Sequence, residues 1–529
     1  MKINFTIFIL FSLFIFIISF ENLAEVKKRF NFYKNLEKFT NNSVSVGYNP
    51  EGGLHCIANR DIEVGSHIIR VPKKNSFCAY DLYPFKFEIF NALKSDPTLA
   101  QSPDKEQKFG MFLMAYYVLY ITKANKGLIK EYIINNKLEQ YYNVTEYDES
   151  IIDSFPKIFL GGWSLNLDQY SLLSELRYGM DHVKEIQRIF NVVKFILLNT
   201  LHNEIVIHWI YSFEEFQNAY SLAMSRAISI RYNEYKIAHN IHPVNLTGYQ
   251  YMNYEMNRYF TETFGAPCLI SFVDLCNHAP LKKIDMSDKR QVIITAEKDY
   301  FINICSKDYS AGDKIEFTYS NDPSNFALFI NYGFIVPNNI LNAYNVRVIE
   351  DKALSISQFN LCRELGCIDG SIKDPLNIPK MRVFIIKNSG LSQELVNLGR
   401  VKFMKGEINN ARVIKKILND QPVSFENEIK AWSFYLSKML DEVSIPFRKS
   451  IKRIQVCRNE RLSLEKTINT DSLNDLELWK TIKNFELIYE LDRSYRGILY
   501  KHKNWSLRRI ISNFKNNIND LKKKYLKSN

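Results

Sequence analysis

The sequence predicts an α+β fold in which two short β-rich stretches flank a long helical insert, with a helical unit following at the C-terminal end. Three observations predict it. Between Val44 and Val71, short runs (VSVGY, LHCIA, HIIRV) are broken by the turn clusters NPEGG and Glu63-Val64-Gly65. From about Tyr80 to Phe260 the apolar residues recur at helical spacing. After Pro267 the runs CLISFV, QVIITA, YFINICS and KIEFTY are again β-rich, and from about Leu354 the chain reads as helical to its end. Neither β part is large enough to bury a core alone, so the two are expected to pair across the insert.

Each element has its own signal. In SFEEFQNAYSLAMSRAIS, Ser212 and Glu215 form a capping-box pattern that satisfies N–H groups at a helix start. Phe216, Ala219, Tyr220, Ala223 and Ala227 then recur on one face, with Arg226 near the helix end beside it. In KIEFTY, Ile315, Phe317 and Tyr319 alternate with Lys314, Glu316 and Thr318, which predicts Tyr319 on the inward side where the strand ends. PVSFENEIKAWSFYLSKML carries an N-cap at Ser424, acids in the first turn and apolar Ile429, Trp432, Leu436 and Met439.

Composition bounds the rest. A chain of 529 residues with 46% hydrophobic and 24% charged residues is globular and holds more than one structural unit. The formal charge is +12, and residues 451–529 hold 18 Lys and Arg against 9 Asp and Glu. That excess reads as the solvated side of amphipathic helices and a frayed tail, LKKKYLKSN, without the aromatic interleaving of a single-strand nucleic-acid groove. Eight scattered cysteines include no Cys-x-x-Cys pair and no zinc-like Cys/His spacing, so no metal is expected and most read as reduced core residues. Residues 1–22, a short basic start with an apolar run from Ile7 to Phe20, read as a signal peptide or signal anchor. Residues 23–43 are basic, like a transit extension. Together they imply entry to the secretory pathway and a plastid-type or other internal compartment, with a cytoplasmic location as the alternative.

One stretch poses the functional question. SFVDLCNHAP is an apolar run that stops on Asn277-His278 and then Pro280, two hydrogen-bonding side chains where a buried strand should simply end. Taken alone this is a capped strand. Taken with AGDKIEFTYSNDPSNFALFINYGF it resembles SET-domain protein methyltransferases, in the branch typified by the Rubisco large-subunit lysine methyltransferase. GGLHCIANRDIEVGSHIIRVP is similar to that family's first strands, and SRAI to its Ser-Arg motif. DLCNH is similar to its Asn-His element. Tyr319, Asn325 and Tyr332-Gly333-Phe334 are similar to its final motif, and PVSFENEIKAW to the start of its substrate-binding helices.

The resemblance covers roughly residues 44–510. It implies a SET domain over 44–340, divided into strands 44–75, insert 76–266 and catalytic core 267–340. A helical substrate-binding domain over 350–510 and a basic tail over 511–529 follow.

By that resemblance S-adenosyl-L-methionine is the cofactor, held by Asn277, His278, Arg226, Gly53 and Leu54. Tyr319 is the catalytic tyrosine, and Tyr332 walls the target channel with it. Asp274, Ser225 and Ile228 border the target side chain, and a protein substrate rests on the C-terminal helices of a monomer. The chemistry suits these residue types. Displacement at a sulfonium methyl needs alignment in a dry channel, which positioning can favour by about 7–11 kcal/mol. Aromatic walls attract a cation by about 0.5–2 kcal/mol, and an apolar channel disfavours the charged form of a target amine.

Two positions depart from the family pattern: His55 stands where the first loop has its second glycine, and Ser320 follows the catalytic tyrosine where glycine is common. An apolar Ile228 is more compatible with a lysine target than with histidine. The leading expectation is a protein-lysine N-methyltransferase. The alternatives are a protein-histidine methyltransferase and a catalytically silent protein-binding module of the same fold.

Overall fold

A computed structural model describes residues 23–49, 53–100, 105–123, 126–137, 139, 147–156, 159–165, 176–201, 212–242, 248–258, 265–279, 292–319, 324–349, 354–368, 381–387, 392–404, 411–419, 421, 423–444 and 473–528. The signal-like segment 1–22, Ser320, Pro280 and Cys457 lie outside them. Among the described residues no helix is long and apolar enough to cross a membrane.

The two β parts do pair across the insert. Strands β1 (Val44–Asn49) and β2 (Gly53–Ala58) form an antiparallel pair. β2 then takes β10 (Lys314–Phe317) antiparallel, with Lys314 opposite Ile57 and Ile315 opposite Cys56. On its other edge β10 runs parallel to the two-residue strand β7, Asn277–His278. A second sheet joins β3 (His67–Pro72) to β9 (Tyr300–Ile304) and β8 (Ile293–Glu297). A third joins β4 (Ser76–Cys78) to β6 (Ala266–Ile270) and β5 (Ile228–Ile230). The first two sheets thus take strands from both sides of the insert, the arrangement needed for small sheets to share one core.

The insert packs through aromatic rings. Helix α2 (Lys105–Lys123) lies against helix α3 (Phe213–Arg226). Phe112 stacks on Phe216 at 5.7 Å, and Tyr116 meets the same ring at 4.7 Å. Phe216 is fully buried, so truncating it is expected to cost about 3–5 kcal/mol. Only half of the expected capping box forms: Ser212 accepts from the Glu215 amide at 3.2 Å, while the Glu215 carboxylate lies 3.8 Å from Lys123.

Four expectations need correction. The basic segment 23–43 is not a loose extension. Leu23–Leu36 form helix α1, whose Val26, Phe32, Tyr33 and Leu36 are buried because their 3.6-residue spacing presents one apolar face to the core. Two cysteines read as reduced are joined: Cys78 and Cys268 face each other in register on β4 and β6, with 4.0 Å between their Cα atoms. Cys56, Cys276, Cys305 and Cys362 are free and buried, and Cys367 is buried as well.

The chain after Leu354 is not all helical. β11 (Ala343–Ile349) pairs antiparallel with β12 (Met381–Lys387), and Tyr344, Val346 and Val348 alternate into the core. Surrounding helical texture hid that short period-two signal. Finally, the expected frayed tail is the end of one helix, Leu473–Ser528.

The C-terminal unit is tied to the SET-like part at defined points. Asn484 accepts from the Gly161 amide at 3.1 Å, and Asn342 donates to Ser494 at 3.1 Å. Within it, Arg400 grips Glu428 as a buried fork, Nε to Oε1 at 2.8 Å and Nη2 to Oε2 at 3.1 Å. Ser424 caps helix Phe425–Ser444 as expected, accepting from the Asn427 amide at 3.2 Å.

Candidate active site

The odd end of SFVDLCNHAP has a structural explanation, though not the single strand the sequence suggested. β6 stops at Ile270, Ser271-Phe272 turn, and Val273–Leu275 form one 3-10 turn. Only then do Asn277 and His278 begin the strand beside β10. The crossing between sheets requires φ of +76° at Phe272, a left-handed value that costs a non-glycine residue of order 1–3 kcal/mol. Burial of the ring and three donors on its carbonyl hold it there: the Leu275 amide at 3.2 Å, Cys56 Sγ at 3.6 Å and Cys276 Sγ at 3.9 Å.

That crossing delivers His278 to Tyr319. Glu316 lies opposite Asn277 and Phe317 opposite His278, so the chain after β10 passes directly over the imidazole. The Tyr319 amide donates to His278 Nδ1 at 3.2 Å, and the Tyr319 hydroxyl donates to the Cys276 carbonyl at 3.0 Å. Ile315 and Phe317 are buried as the alternation predicts, and Tyr319 is half-buried two residues past the strand.

Around Tyr319 the site is aromatic. Its ring lies 4.7 Å from Tyr332, 5.3 Å from His278 and 6.1 Å from Phe334, and Phe334 lies 5.6 Å from His278. The Tyr332 hydroxyl donates to the Tyr319 carbonyl at 3.3 Å.

Helix α4 (Asn325–Tyr332) aims Tyr332. Buried Asn325 sets its start: its Nδ2 donates to the Val336 carbonyl at 3.1 Å, and its Oδ1 accepts from the Val336 backbone amide and the Asn339 side-chain amide. Gly333 ends the helix at φ +73°, and a side chain there would collide with the Leu160 carbonyl.

Electrostatics follow from burial. The Tyr319 phenol is pushed well above its usual value by desolvation, with the Arg226 cation working against the shift. Burial also raises Tyr332. His278 is pushed down to about 4 by burial, so it is neutral near pH 7 and free to accept at Nδ1.

A polar corner lies beside this aromatic one. Arg226, the last residue of α3, donates from Nη1 to both the backbone oxygen and Oδ2 of Asp274, at 3.3 and 3.2 Å. Tyr33 of α1 donates to the same Oδ2 at 2.7 Å. Ser225 bonds the Leu222 carbonyl of its own helix at 3.3 Å, and Ile228 starts β5, half-buried against the core.

Gly53 begins β2 at φ +67° with open space where a side chain would be, and Leu54 is buried. His55 does not fill that space. It lies over Gly47 of β1, where an added side chain would meet its Nε2 at 2.7 Å, and its Nδ1 bonds the Gly53 carbonyl at 3.1 Å. Alternation puts His55 and Ile57 on one face of β2, with Leu54 and Cys56 on the other.

The expected residues therefore gather in two adjoining corners, His278, Tyr319 and Tyr332 in one and Arg226 and Asp274 in the other. Asn277 stands next to His278, half-buried on β7. The Ser225 hydroxyl bonds within its own helix. Sequence reasoning missed Tyr33 and the Cys276 carbonyl. The first lay in a segment read as an extension, and a backbone acceptor carries no sequence signal.

No protein-family model matches the chain, and no curated protein matches it. Solved structures do. The SET domain of LSMT bound to lysine and AdoHcy is similar at a TM-score of 0.51 and 14% identity, over 93% of each chain. The same domain bound to methyllysine and AdoHcy gives 0.51 and 15% over 92% of this chain and 93% of that one. Rubisco LSMT bound to AdoMet gives 0.50 and 14%, with the same coverage. At this identity the likeness is one of architecture: the chain has the split SET fold with its helical C-terminal unit.

Proposed function

We propose that the chain is an S-adenosyl-L-methionine-dependent protein-lysine N-methyltransferase. The observation that carries this reading is the Tyr319 corner: a half-buried phenol fixed by the Cys276 carbonyl, walled by Tyr332, His278 and Phe334, and joined to the Asn277-His278 crossing. The residues fit the donor. Open space beside the left-handed Gly53 suits an approaching ligand, and the Arg226 guanidinium suits its carboxylate. Asn277, His278 and Leu54 complete the set that would hold it.

When bound, this donor supplies an activated methyl on a positively charged sulfur. The residues do the rest. Tyr319 and Tyr332 present ring faces and oxygens to a cationic centre and keep water away from it. Burial keeps both phenols protonated, so neither acts as a base near neutral pH. A target amine entering these apolar walls loses stabilisation of its charged form, which favours the neutral nucleophile. Half-buried, apolar Ile228 beside the core favours lysine over histidine as that target. The helical C-terminal unit is the surface for the protein substrate.

Transfer of radiolabelled methyl from S-adenosyl-L-methionine to proteins of a lysate tests the reading, with Tyr319→Phe as the comparison. Label on lysine that the variant abolishes supports it. Equal labelling by both proteins refutes the role of Tyr319, and label on histidine alone refutes the target.

A silent binding module is the second reading, favoured by Asp274 already engaging Arg226. Titration with the donor separates the two, since a module would take up none.

A further inference from the structure

The long helix Leu473–Ser528 carries two different faces. One joins it to the C-terminal unit: Ile488, Leu491, Tyr495, Leu499, His502 and Ser506 are buried, at steps of three and four residues. After Ser506 no described residue of the helix is buried. The second face lies on the opposite side of the helix by the same residue count. There Tyr500, Leu507 and Ile511 are 50%, 37% and 53% exposed.

In the sequence the spacing of that second face continues through Phe514, Ile518, Leu521 and Tyr525. With Asn504 included, the steps from Tyr500 alternate four, three, four, three to the last of them. The period is therefore about 3.5 residues, which belongs to a helix whose seam packs along another helix. The seam runs for about 38 Å of helix. Its one amide residue, Asn504, is of the kind that fixes register in such pairings.

The borders of the seam select its occupant. They are positions 501, 503, 508, 510, 515, 517, 522 and 524, of which six are Lys or Arg and none is acidic. Lys501, Arg508 and Lys515 are exposed. A second copy of this helix, in either orientation, would set cation against cation along both borders. The chain's own stretch 445–472 holds seven Lys and Arg against three Asp and Glu, so charge disfavours it too. A lipid surface would suit the cations, but a seam of two residues per heptad is narrower than the apolar face of a helix lying in a membrane interface.

We propose that residues 500–525 are a docking seam for an amphipathic helix of a partner protein. That helix has apolar residues at the same repeat, Glu or Asp along both borders, and a polar residue opposite Asn504. The seam uses no residue of the site around Tyr319, so it stands or falls independently of the methyltransferase reading.

Fluorescence anisotropy of a labelled peptide, titrated with the full chain, tests this. The peptide has about four heptads, with Ile and Leu alternating on its seam, one Asn there, and Glu at every border position. Wild type is expected to bind it, with affinity falling roughly tenfold from low to high salt. Leu507→Glu combined with Ile511→Glu should abolish binding while leaving the unfolding midpoint nearly unchanged, because both residues are exposed. Arg508→Glu combined with Lys515→Glu should shift preference to the same peptide with Lys at its borders.

No uptake of the Glu peptide by wild type overturns the proposal. Equal uptake of a peptide of the same composition with its apolar residues moved off the seam also overturns it, since charge alone would then suffice. A dimer in sedimentation equilibrium that Leu507→Glu dissolves overturns it in favour of a second copy. Binding to phosphatidylserine vesicles without binding to the Glu peptide overturns it in favour of a membrane. If the Leu507 and Ile511 variants do not fold, the charge reversal decides: a switch of peptide preference supports the seam, and an unchanged preference overturns it.

Discussion

The Tyr319 amide donates to Nδ1 of His278 across 3.2 Å, joining two site segments 41 residues apart in sequence. The bond requires an imidazole that accepts at Nδ1, and therefore a neutral ring protonated at Nε2. Burial, which pushes His278 down to about 4, maintains that state.

A pH dependence follows. His278 and His239 are both pushed down to about 4 from 6.5, chiefly by burial. Between those values the unfolded chain binds more protons than the folded one, so both rings lower stability as pH falls from about 6.5 toward 4. Buried Asp81, raised to about 6, works in the opposite sense between 6 and 3.8 and softens the decline. Nuclear magnetic resonance should show His278 as the Nε2–H tautomer at pH 7, without titration until near pH 4. A midpoint near 6.5 would contradict the buried acceptor.

Tyr319→Phe should lower methyl transfer about 100-fold, the scale of losing one well-placed polar group in an active site. Among the described residues that hydroxyl gives up one hydrogen bond, to the Cys276 carbonyl, so the unfolding midpoint should fall by no more than a few degrees. Activity and melting measured on the same preparation separate chemistry from folding.

The Cys78–Cys268 bond closes a loop with a sequence separation of 190. On the chain-entropy view, closing so long a loop stabilises the fold by about 5 kcal/mol. Cys268→Ser, or reduction of the wild type, should lower the unfolding midpoint clearly. Alkylation of the unreduced, denatured chain followed by mass measurement should find two cysteines protected; eight modified thiols would exclude the bond.

Glycine requirements should differ between two left-handed positions. Gly312 at φ +89° has open space around it, whereas a side chain at Gly333, φ +73°, meets the Leu160 backbone. Gly312→Ala should cost about 1 kcal/mol for its backbone alone. Gly333→Ala should cost appreciably more, because backbone must shift, and should reduce activity by displacing Tyr332. Equal losses in denaturant titrations of the two variants would argue against that close approach.

Removal of residues 1–22 should leave the fold intact, while removal of residues 1–40 should not. The longer cut takes away buried Val26, Phe32, Tyr33 and Leu36 and uncovers the core they seal. Soluble yield and melting of the two truncations check this. They also bound where any processing of the N-terminal segment can fall.

What the sequence by itself determined was the set of local patterns. Alternation marked Ile315 and Phe317 as inward, and Ser212 and Ser424 announced helix starts, whereas Asn277, His278, Tyr319 and Tyr332 became candidates only through the resemblance of their motifs. Alternation and capping are short-range properties, governed by which side chains share a face of a strand or a helix and which groups cap it.

Only the tertiary structure decided what meets across long separations. It turned His55 onto Gly47, joined Cys78 to Cys268, paired β11 with β12 within helical surroundings, and brought Tyr33 to Asp274 over 241 residues. Such contacts come from packing the sheets and the insert around one core, and no spacing rule encodes them. The break in β6 at Phe272 is the clearest case: a locally unfavourable backbone persists because burial and three hydrogen bonds outweigh it.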